Sequence, residues 1–385
     1  MANKNYDLII IGAGSIGTPC ALAAARRKLS VLVLDPGASP GQGQNKAAIG
    51  GIRATHSDAA KIKISLDSLR IFSEWKDENG DDIGWVKGGY TFPAYTESHE
   101  KMMQELLKVQ KGHGLNISWL DAGAMRELVP GLNAENLRGG TFAPDDGSAS
   151  PLLSTNAFYR KAAALGAQFH FGESVSRIIV ENDKVTGVAS SKETYHAPLV
   201  LNAAGANAKE ICAMAKVEVP INPDCHEAGI TEPVKPMFKP MVLDIRSESS
   251  SSNYYFYQNS EGQLVFCITP NPQIWGTDRK STSAFLPLAA RRMINLLPRL
   301  AALKVRRTWR GLYPMTPDGF PIVDAFDSPK GLLIAGGMCG QGFMLGPGIG
   351  ELVARMITGE TTEQDKVTLK GFSSKRSFSG METFK

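Results

Sequence analysis

Three observations predict an α/β fold, a parallel sheet interrupted by β-rich insertions. A strand, a glycine turn, a small-residue helix and a second strand open the chain over residues 7–35. Apolar strands of the same kind return at 199–204 and 332–335. Between these returns, near 86–95 and 241–268, apolar and polar residues alternate, as half-buried strands do.

The opening run reads DLIIIGAGSIGTPCALAAARRKLSVLVLD. Leu8–Ile11 forms the first strand and Val31–Leu34 the second, which ends on Asp35. Gly12 makes the tight turn, Gly14 lets the backbone approach a pyrophosphate, and Gly17 lets helix and strand pack closely. Free N–H groups and the positive dipole at the helix start suit phosphates. Asp35, 18 residues beyond Gly17, is placed to accept from ribose hydroxyls. The unit therefore predicts dinucleotide binding.

A chain of 385 residues is long for one core, so two domains are expected. Hydrophobic residues at 43% and charged ones at 21% describe an ordinary globular protein. A net charge of +4 with no dense basic run gives nucleic acid no footing. No apolar run approaches the ~20 residues that span a bilayer, and the six residues before the first strand leave no room for a leader, so a cytoplasmic protein is expected. Cys20, Cys212, Cys225, Cys267 and Cys339 are odd in number and widely spaced, which predicts reduced thiols. His99, His113, His170 and His196 show no metal-ligand spacing, so no metal is expected.

Along the chain, a glycine-rich loop (37–51) follows the acid, and Ser57 is read as the cap of a helix with Ile62, Leu66, Leu69 and Phe72 on its apolar face. Residues 85–95 read as strands, and 101–111 and 122–128 as short helices. A second α/β stretch has a helix at 156–165, strands at 168–171, 175–180 and 185–189 around an Asn182-Asp183-Lys184 turn, and a strand closing on Gly205. Strands at 241–245, 254–257 and 264–268 precede an amphipathic helix at 283–300. A last helix is expected from about Gly348 to Ile357, and the polar tail after Gly359 is expected to be only partly ordered.

Four stretches in order resemble the D-amino acid oxidase/sarcosine oxidase superfamily: GAGSIG with Asp35, GGIRATHSD, LNAAGANA, and WRGLYPMTPDGFPIVD with GGMCGQGFMLGPGIGE. The likeness is nearest the sarcosine, dimethylglycine and proline dehydrogenase β-subunit group. It implies a p-hydroxybenzoate-hydroxylase-like fold, an FAD/NAD(P)-binding Rossmann-like domain (1–85, 151–225, 326–365) interleaved with a β-rich substrate domain (86–150, 226–325) and a tail, 366–385. It also implies FAD, with Ser15 and Ile16 at the pyrophosphate and Asp35 and Pro36 at the adenosine. Gln44, Asn45, Lys46 and Ala48 would line phosphates and flavin edge, and Val175 the adenine. Ala204 and Gly205 would pass under the ribityl chain, and Gly340, Gln341, Gly342, Phe343 and Met344 would face the flavin pyrimidine.

Departures from the family pattern carry expectations too. Gly311 stands where some members tether the flavin through a cysteine, so the FAD is expected to be non-covalent. Tyr313 replaces a carboxylate-binding Arg, and Met344 replaces a Lys. No lysine lies between Lys239 and Lys280, so the oxygen-activating lysine of the oxidases is missing and a dehydrogenase is expected, with a quinone or redox partner subunit as acceptor.

The resemblance implies oxidation of the C–N bond of a small amine or amino acid (sarcosine-, dimethylglycine- or proline-like) by hydride transfer to flavin N5. Arg53, His56 and Tyr313 are the candidate catalytic residues, and Arg53, Tyr257, Tyr313 and Met344 would meet the substrate. Arg53 as carboxylate anchor stands against Arg53 as a loop clamp, and His56 as donor against a cap. Tyr254, Tyr255 and Tyr257 share one strand, and Arg310 reads as flavin contact or surface pair. His226, Glu227 and Cys339 read as structural. Two alternatives remain: a 2-hydroxy acid or polyol-phosphate dehydrogenase with His56 as base, and a non-catalytic FAD-binding assembly factor or partner subunit.

Overall fold

The run Leu8–Ile11 is buried along its whole length, as a central parallel strand must be. In the computed structural model, which describes residues 5–383, it pairs in parallel with Val31–Asp35 on one side and Leu199–Asn202 on the other. The six-stranded sheet follows the order Ile322–Ala325, Leu332–Gly336, Leu199–Asn202, Leu8–Ile11, Val31–Asp35, Gln168–Phe171. Only its edge strand Ile322–Ala325, which comes from within the stretch 226–325, is antiparallel.

The alternating segments build a separate eight-stranded sheet. Its strands are Val305–Met315, Asn222–Pro233, Gln263–Pro270, Ser251–Gln258, Met241–Asp244, Tyr90–Ala94, Gly139–Ala143 and Ser118–Asp121, in that order. Alternation sorts its side chains onto two faces. Tyr254 and Phe256 enter a core with Phe266, Phe285 and Leu296, whereas Tyr255 and Tyr257 pack on the opposite face. A third, three-stranded sheet contains the predicted turn, where Asn182 and Asp183 take φ of 48° and 61°, the paired left-handed conformation of a type I′ hairpin.

The helices Gly17–Arg26, Ala59–Asn79 and Gly342–Thr358 pack together through bare backbone. A Cβ at Gly346 would lie 2.0 Å from the Ser15 carbonyl oxygen, and one at Gly350 2.8 Å from the carbonyl carbon of Pro19. One at Gly348 would lie 2.4 Å from the Ile64 oxygen. No side chain fits in those gaps.

Several boundaries differ from expectation. Asp58, not Ser57, caps the second of these helices, accepting from Ala60 N and Lys61 N at 2.9 and 3.1 Å. The helix expected at 156–165 begins at Pro151, behind a Ser150 cap. Pro298 divides the one expected at 283–300 into Phe285–Leu296 and a 3-10 turn, because proline lacks the N–H that would continue it. The last helix starts at Gly342, six residues early, and carries Pro347 internally. Its glycines and proline read as loop, but the close packing available only to them overrides that propensity.

The tail is also better ordered than expected. Thr362 and Asp365 form a reciprocal capping box at the head of a further helix, Glu363–Gly371. Beyond it, Arg376 grips Asp318 with two bonds of 2.6 and 3.0 Å. Glu382 is buried, 3.3 Å from the buried Lys61 Nζ, and accepts from Ser57 N and Oγ at 3.1 and 2.8 Å. Breaking one side of a buried pair strands the other charge. Glu382→Gln should therefore destabilise the FAD-loaded protein by about 3–5 kcal/mol in denaturant unfolding, and the double variant Lys61→Met/Glu382→Gln should recover part of the loss. Equal stability of single variant and wild type would remove the pair from the account.

Candidate functional site

Between the six-stranded and eight-stranded sheets lies a cavity of about 760 Å³, inside the ~300–1,000 Å³ range of small-molecule sites. The six-stranded wall supplies Gly12, Gly14, Ser15, Ile16, Asp35, Pro36, Ala204 and Gly205. Gln44, Asn45 and Ala48 enter from the glycine-rich loop, with Ser174 and Val175 from the three-stranded sheet. Gly340, Gly342, Phe343 and Met344 come from the start of the last long helix.

The glycine turn is built by close approach. Gly12 has φ of 108°, and a Cβ there would lie 2.6 Å from the Ala203 oxygen. A Cβ at Gly17 would lie 1.8 Å from the Gly12 oxygen, so Gly17 packs helix on strand and does not line the cavity. A Cβ at Gly14, by contrast, would meet nothing within 4 Å. Asp35 ties the turn to the second strand, accepting from Ala13 N at 2.7 Å and Gly37 N at 2.6 Å. A carboxylate offers about four lone-pair sites, so acceptor capacity remains for ribose hydroxyls.

Two helices open on this cavity, at Gly17 and at Gly342, and neither has a side-chain cap. At the first of these Thr18 N is spent on the Gly14 carbonyl at 3.1 Å and Pro19 has no N–H, so that end offers the Gly17 N–H and its positive dipole, and the Gly342 end its first-turn N–H groups. Two uncapped helix starts beside one elongated cavity fit a group with a pyrophosphate and a second electron-rich region, as FAD has.

The eight-stranded wall is aromatic. Tyr313 stacks on His226, centroids 3.7 Å apart at 17°, and its hydroxyl lies 2.6 Å from that of Tyr255. Tyr90 and Cys267 line the same wall. Burial pushes the phenols of Tyr255 and Tyr313 well above the usual range, so both stay neutral. His226 Nε2 lies 3.0 Å from Asp224 Oδ2. Burial opposes ionisation of Asp224, but the bond and charge of His226 and the Ile274 N–H outweigh it and hold the carboxyl below its usual range. A carboxylate at Nε2 makes that nitrogen the donor, so in the neutral ring Nδ1 carries a lone pair. Nδ1 is buried and has no hydrogen-bond partner among the described residues.

The candidate residues separate in space. Tyr313 and Met344 line the cavity, whereas Lys46, Gln341 and Tyr257 do not. Asn45 and Ala47 line it on either side of Lys46, and Gly340 and Gly342 on either side of Gln341. The Tyr257 hydroxyl is spent on the Ile49 carbonyl at 2.6 Å, and Tyr255, two residues earlier on the same face, takes the wall position. Arg53 and His56 are buried off the wall, 3.2 Å apart, and Arg53 also donates to the Thr55 carbonyl. Burial, then the charges of Arg53 and Lys61, hold His56 neutral. Asp146 accepts from Ala54 N and Thr55 Oγ1 at 3.0 Å each, and Gln110 binds the His56 carbonyl at 3.0 Å. The 53–56 segment is thus braced on every side. Arg310 bonds weakly to Asp278 and the Lys280 carbonyl, both at 3.5 Å.

His226, read as structural, lies on the wall, and Tyr90 and Cys267 join it there, while Arg279 lines the cavity from the loop after Gln263–Pro270 and Glu210 from the helix Ala208–Ala213. The Asp-x-His spacing of 224 and 226, which shares one strand face, was the available signal.

An α/β dinucleotide-binding protein with a mostly antiparallel sheet facing its nucleotide cavity is the class that fold and site define. Residues 7–356 match the family DAO, FAD dependent oxidoreductase, and the chain belongs to that family. It is 26% identical over 369 residues to the glycine oxidase of Geobacillus kaustophilus, covering 94% of this chain and 95% of that protein. It is 25% identical to the sarcosine oxidase subunit beta of Arthrobacter sp, over 93% of this chain and 88% of that protein. The crystal structure of the L-proline dehydrogenase from P. horikoshii superposes with a TM-score of 0.91 at 28% identity, covering 97% of this chain and 98% of that one. Among the described residues there is no cluster of metal-binding side chains and no helix long and apolar enough to cross a membrane.

Burial lifts the Asp146 carboxyl from 3.8 to about 7, against the pull of its two bonds and of Arg53. The folded state then holds this proton more tightly than the unfolded chain, so the group's contribution to stability falls as pH rises from the unfolded value to about 7 and is level above it. Asp146→Asn should flatten that part of the stability curve, measured by denaturant unfolding across the window. Parallel curves for variant and wild type would contradict it.

Proposed function

We propose that the protein oxidises the C–N bond of a small secondary or tertiary amino acid, sarcosine-, dimethylglycine- or proline-like, and passes the electrons to a quinone, dye or partner redox subunit. The observation that carries this reading is the neutral wall of Tyr90, Tyr255, Tyr313 and Met344, which suits an N-alkyl group or ring and offers no second charge. The names of the relatives, a sarcosine oxidase subunit and an L-proline dehydrogenase, support the same substrate class.

FAD, when bound, would accept the hydride leaving the carbon beside the nitrogen. Ser15, Ile16 and Gly14 would hold its pyrophosphate, Asp35, Pro36 and Val175 its adenosine. Gln44, Asn45, Ala48, Ala204 and Gly205 would flank the middle, and Gly340, Gly342, Phe343 and Met344 the pyrimidine edge, where a helix start favours negative charge. Gly311 offers no thiol, and a Cβ there would already lie 2.8 Å from that of Ala47, so this reading keeps the flavin non-covalent.

The chain's own work is alignment and proton management. The amine must be neutral for its lone pair to assist hydride departure, and His226 Nδ1, with Asp224 behind it, is the wall group that takes the ammonium proton. Arg53 and His56 are read as braces of the loop. The same Asp224–His226 pair favours a second reading, oxidation of a 2-hydroxy acid or polyol phosphate, in which His226 takes the hydroxyl proton.

Under nitrogen, N-methyl amino acids or proline should bleach the flavin absorbance while 2-hydroxy acids and polyol phosphates leave it yellow; the reverse pattern selects the second reading. Among the described residues no lysine lines the cavity. Turnover should accordingly be faster with an artificial dye than with O₂, and rapid peroxide release would contradict the acceptor assignment.

A further inference from the structure

A substrate carboxylate entering this cavity needs a cation, because an unpaired buried charge costs several kcal/mol. The expected anchors are committed elsewhere: Arg53 is buried behind the wall, engaged by the Thr55 carbonyl and His56, and Arg310 is engaged by Asp278 and the Lys280 carbonyl. Arg279 differs from both. It lines the cavity, is the one Arg or Lys among the described residues that does so, and makes no hydrogen bond or ion pair among them.

Its surroundings explain how an exposed arginine is held at a cavity wall. Residues 271–284 are exposed throughout and contain no helix or strand. The stretch is nevertheless pinned at both ends to the strand that carries His226. Ile274 N donates to Asp224 Oδ1 at 2.7 Å, and Gly276 N to the Pro223 carbonyl at 3.0 Å. At the far end Thr282 donates to Glu227 through N at 2.8 Å and Oγ1 at 2.6 Å. Asp278 meets Arg310, which pairs in register with Glu227, while Arg279, the next residue, reaches the cavity.

We propose that Arg279 is the carboxylate-binding, specificity-determining residue of this site, presented by the pinned loop 271–284. The inference deepens the amino-acid reading above and rests on it for the identity of the substrate. Arginine is suited to the task, since its planar fork takes both carboxylate oxygens. Placing it on an exposed loop lets the substrate's arrival complete the ion pair, with no buried cation to maintain beforehand.

The test separates binding from turnover. N,N,N-trimethylglycine carries the carboxylate but no nitrogen lone pair, so it binds without being oxidised. Titrated into the FAD-loaded protein, it should perturb the flavin spectrum saturably, and tetramethylammonium should not. Arg279→Gln should raise the half-saturating concentration about 10- to 100-fold with FAD content unchanged, while the adjacent Lys280→Gln should match wild type. In anaerobic reduction by proline or sarcosine, Arg279→Gln should raise KM by the same factor and leave the limiting rate nearly intact. Three outcomes overturn the proposal: no saturable signal with either N,N,N-trimethylglycine or proline, an unchanged half-saturation in Arg279→Gln, or loss of FAD from that variant. If only 2-hydroxy acids reduce the flavin yet bind through Arg279, the anchor stands and the amine reading falls.

Discussion

The backbone contact between the helix Gly342–Thr358 and the helices Gly17–Arg26 and Ala59–Asn79 is the constraint on which the site depends. Gly346 and Gly350 meet the Ser15–Pro19 turn, and Gly348 meets Ile64. At such distances even one methyl group must push the helices apart, and overpacking of this kind costs about 1–3 kcal/mol or more. The consequence is positional. With these helices locked, the Gly342 start lies beside Ser15, and two positive helix ends face one cavity from sequence positions more than 300 residues apart. Neither helix could hold that geometry alone.

The opposite wall depends on register. His226 pairs across the strands with Gly311, which has no side chain, so the ring of Tyr313 can lie diagonally over the imidazole. Tyr255 pairs with Cys267 on the neighbouring strands, and its hydroxyl then reaches that of Tyr313. A one-residue slip of the strand Ser251–Gln258 would send Tyr255 into the core now filled by Tyr254 and Phe256. The neutral aromatic face is thus a product of strand pairing, and the absence of a side chain at position 311 serves that stacking as much as it rules out a thiol tether.

Charge is partitioned between interior and rim. Lys61 is matched with Glu382, and Arg53 lies within the field of Asp146 and Glu382. These groups stiffen the 53–58 segment and the returning tail, and their charges are consumed locally. Among the described residues the cavity is lined by one arginine on an exposed loop, by the carboxylates Asp35 and Glu210, and by His226, held by Asp224. That division leaves the aromatic surface of the pocket neutral, with its arginine on an exposed loop.

Much of the nucleotide side was legible in residues 7–35, because a glycine turn, a helix and an acid at fixed spacing encode their geometry locally; the structure places Gly12, Gly14 and Asp35 where that spacing puts them. Strand types were legible for the same reason, through alternation at 254–257 and the Asn182-Asp183 turn. Local pattern could not reveal partners distant in sequence. The helix start at Gly342 was hidden behind glycines and a proline whose value appears only against another backbone. The tail looked solvated because Lys61, its buried counter-charge, lies some 320 residues away. Arg53 and His56 were close in sequence and seemed to share a task at the cavity, but tertiary packing turned them toward each other, while sheet register carried His226 and Tyr255 to the wall. Sequence by itself determined the glycine-turn unit of residues 7–35, whose interactions lie within some thirty residues; tertiary structure alone decided which polar side chains line the cavity, because that depends on how distant strands and helices pack against one another.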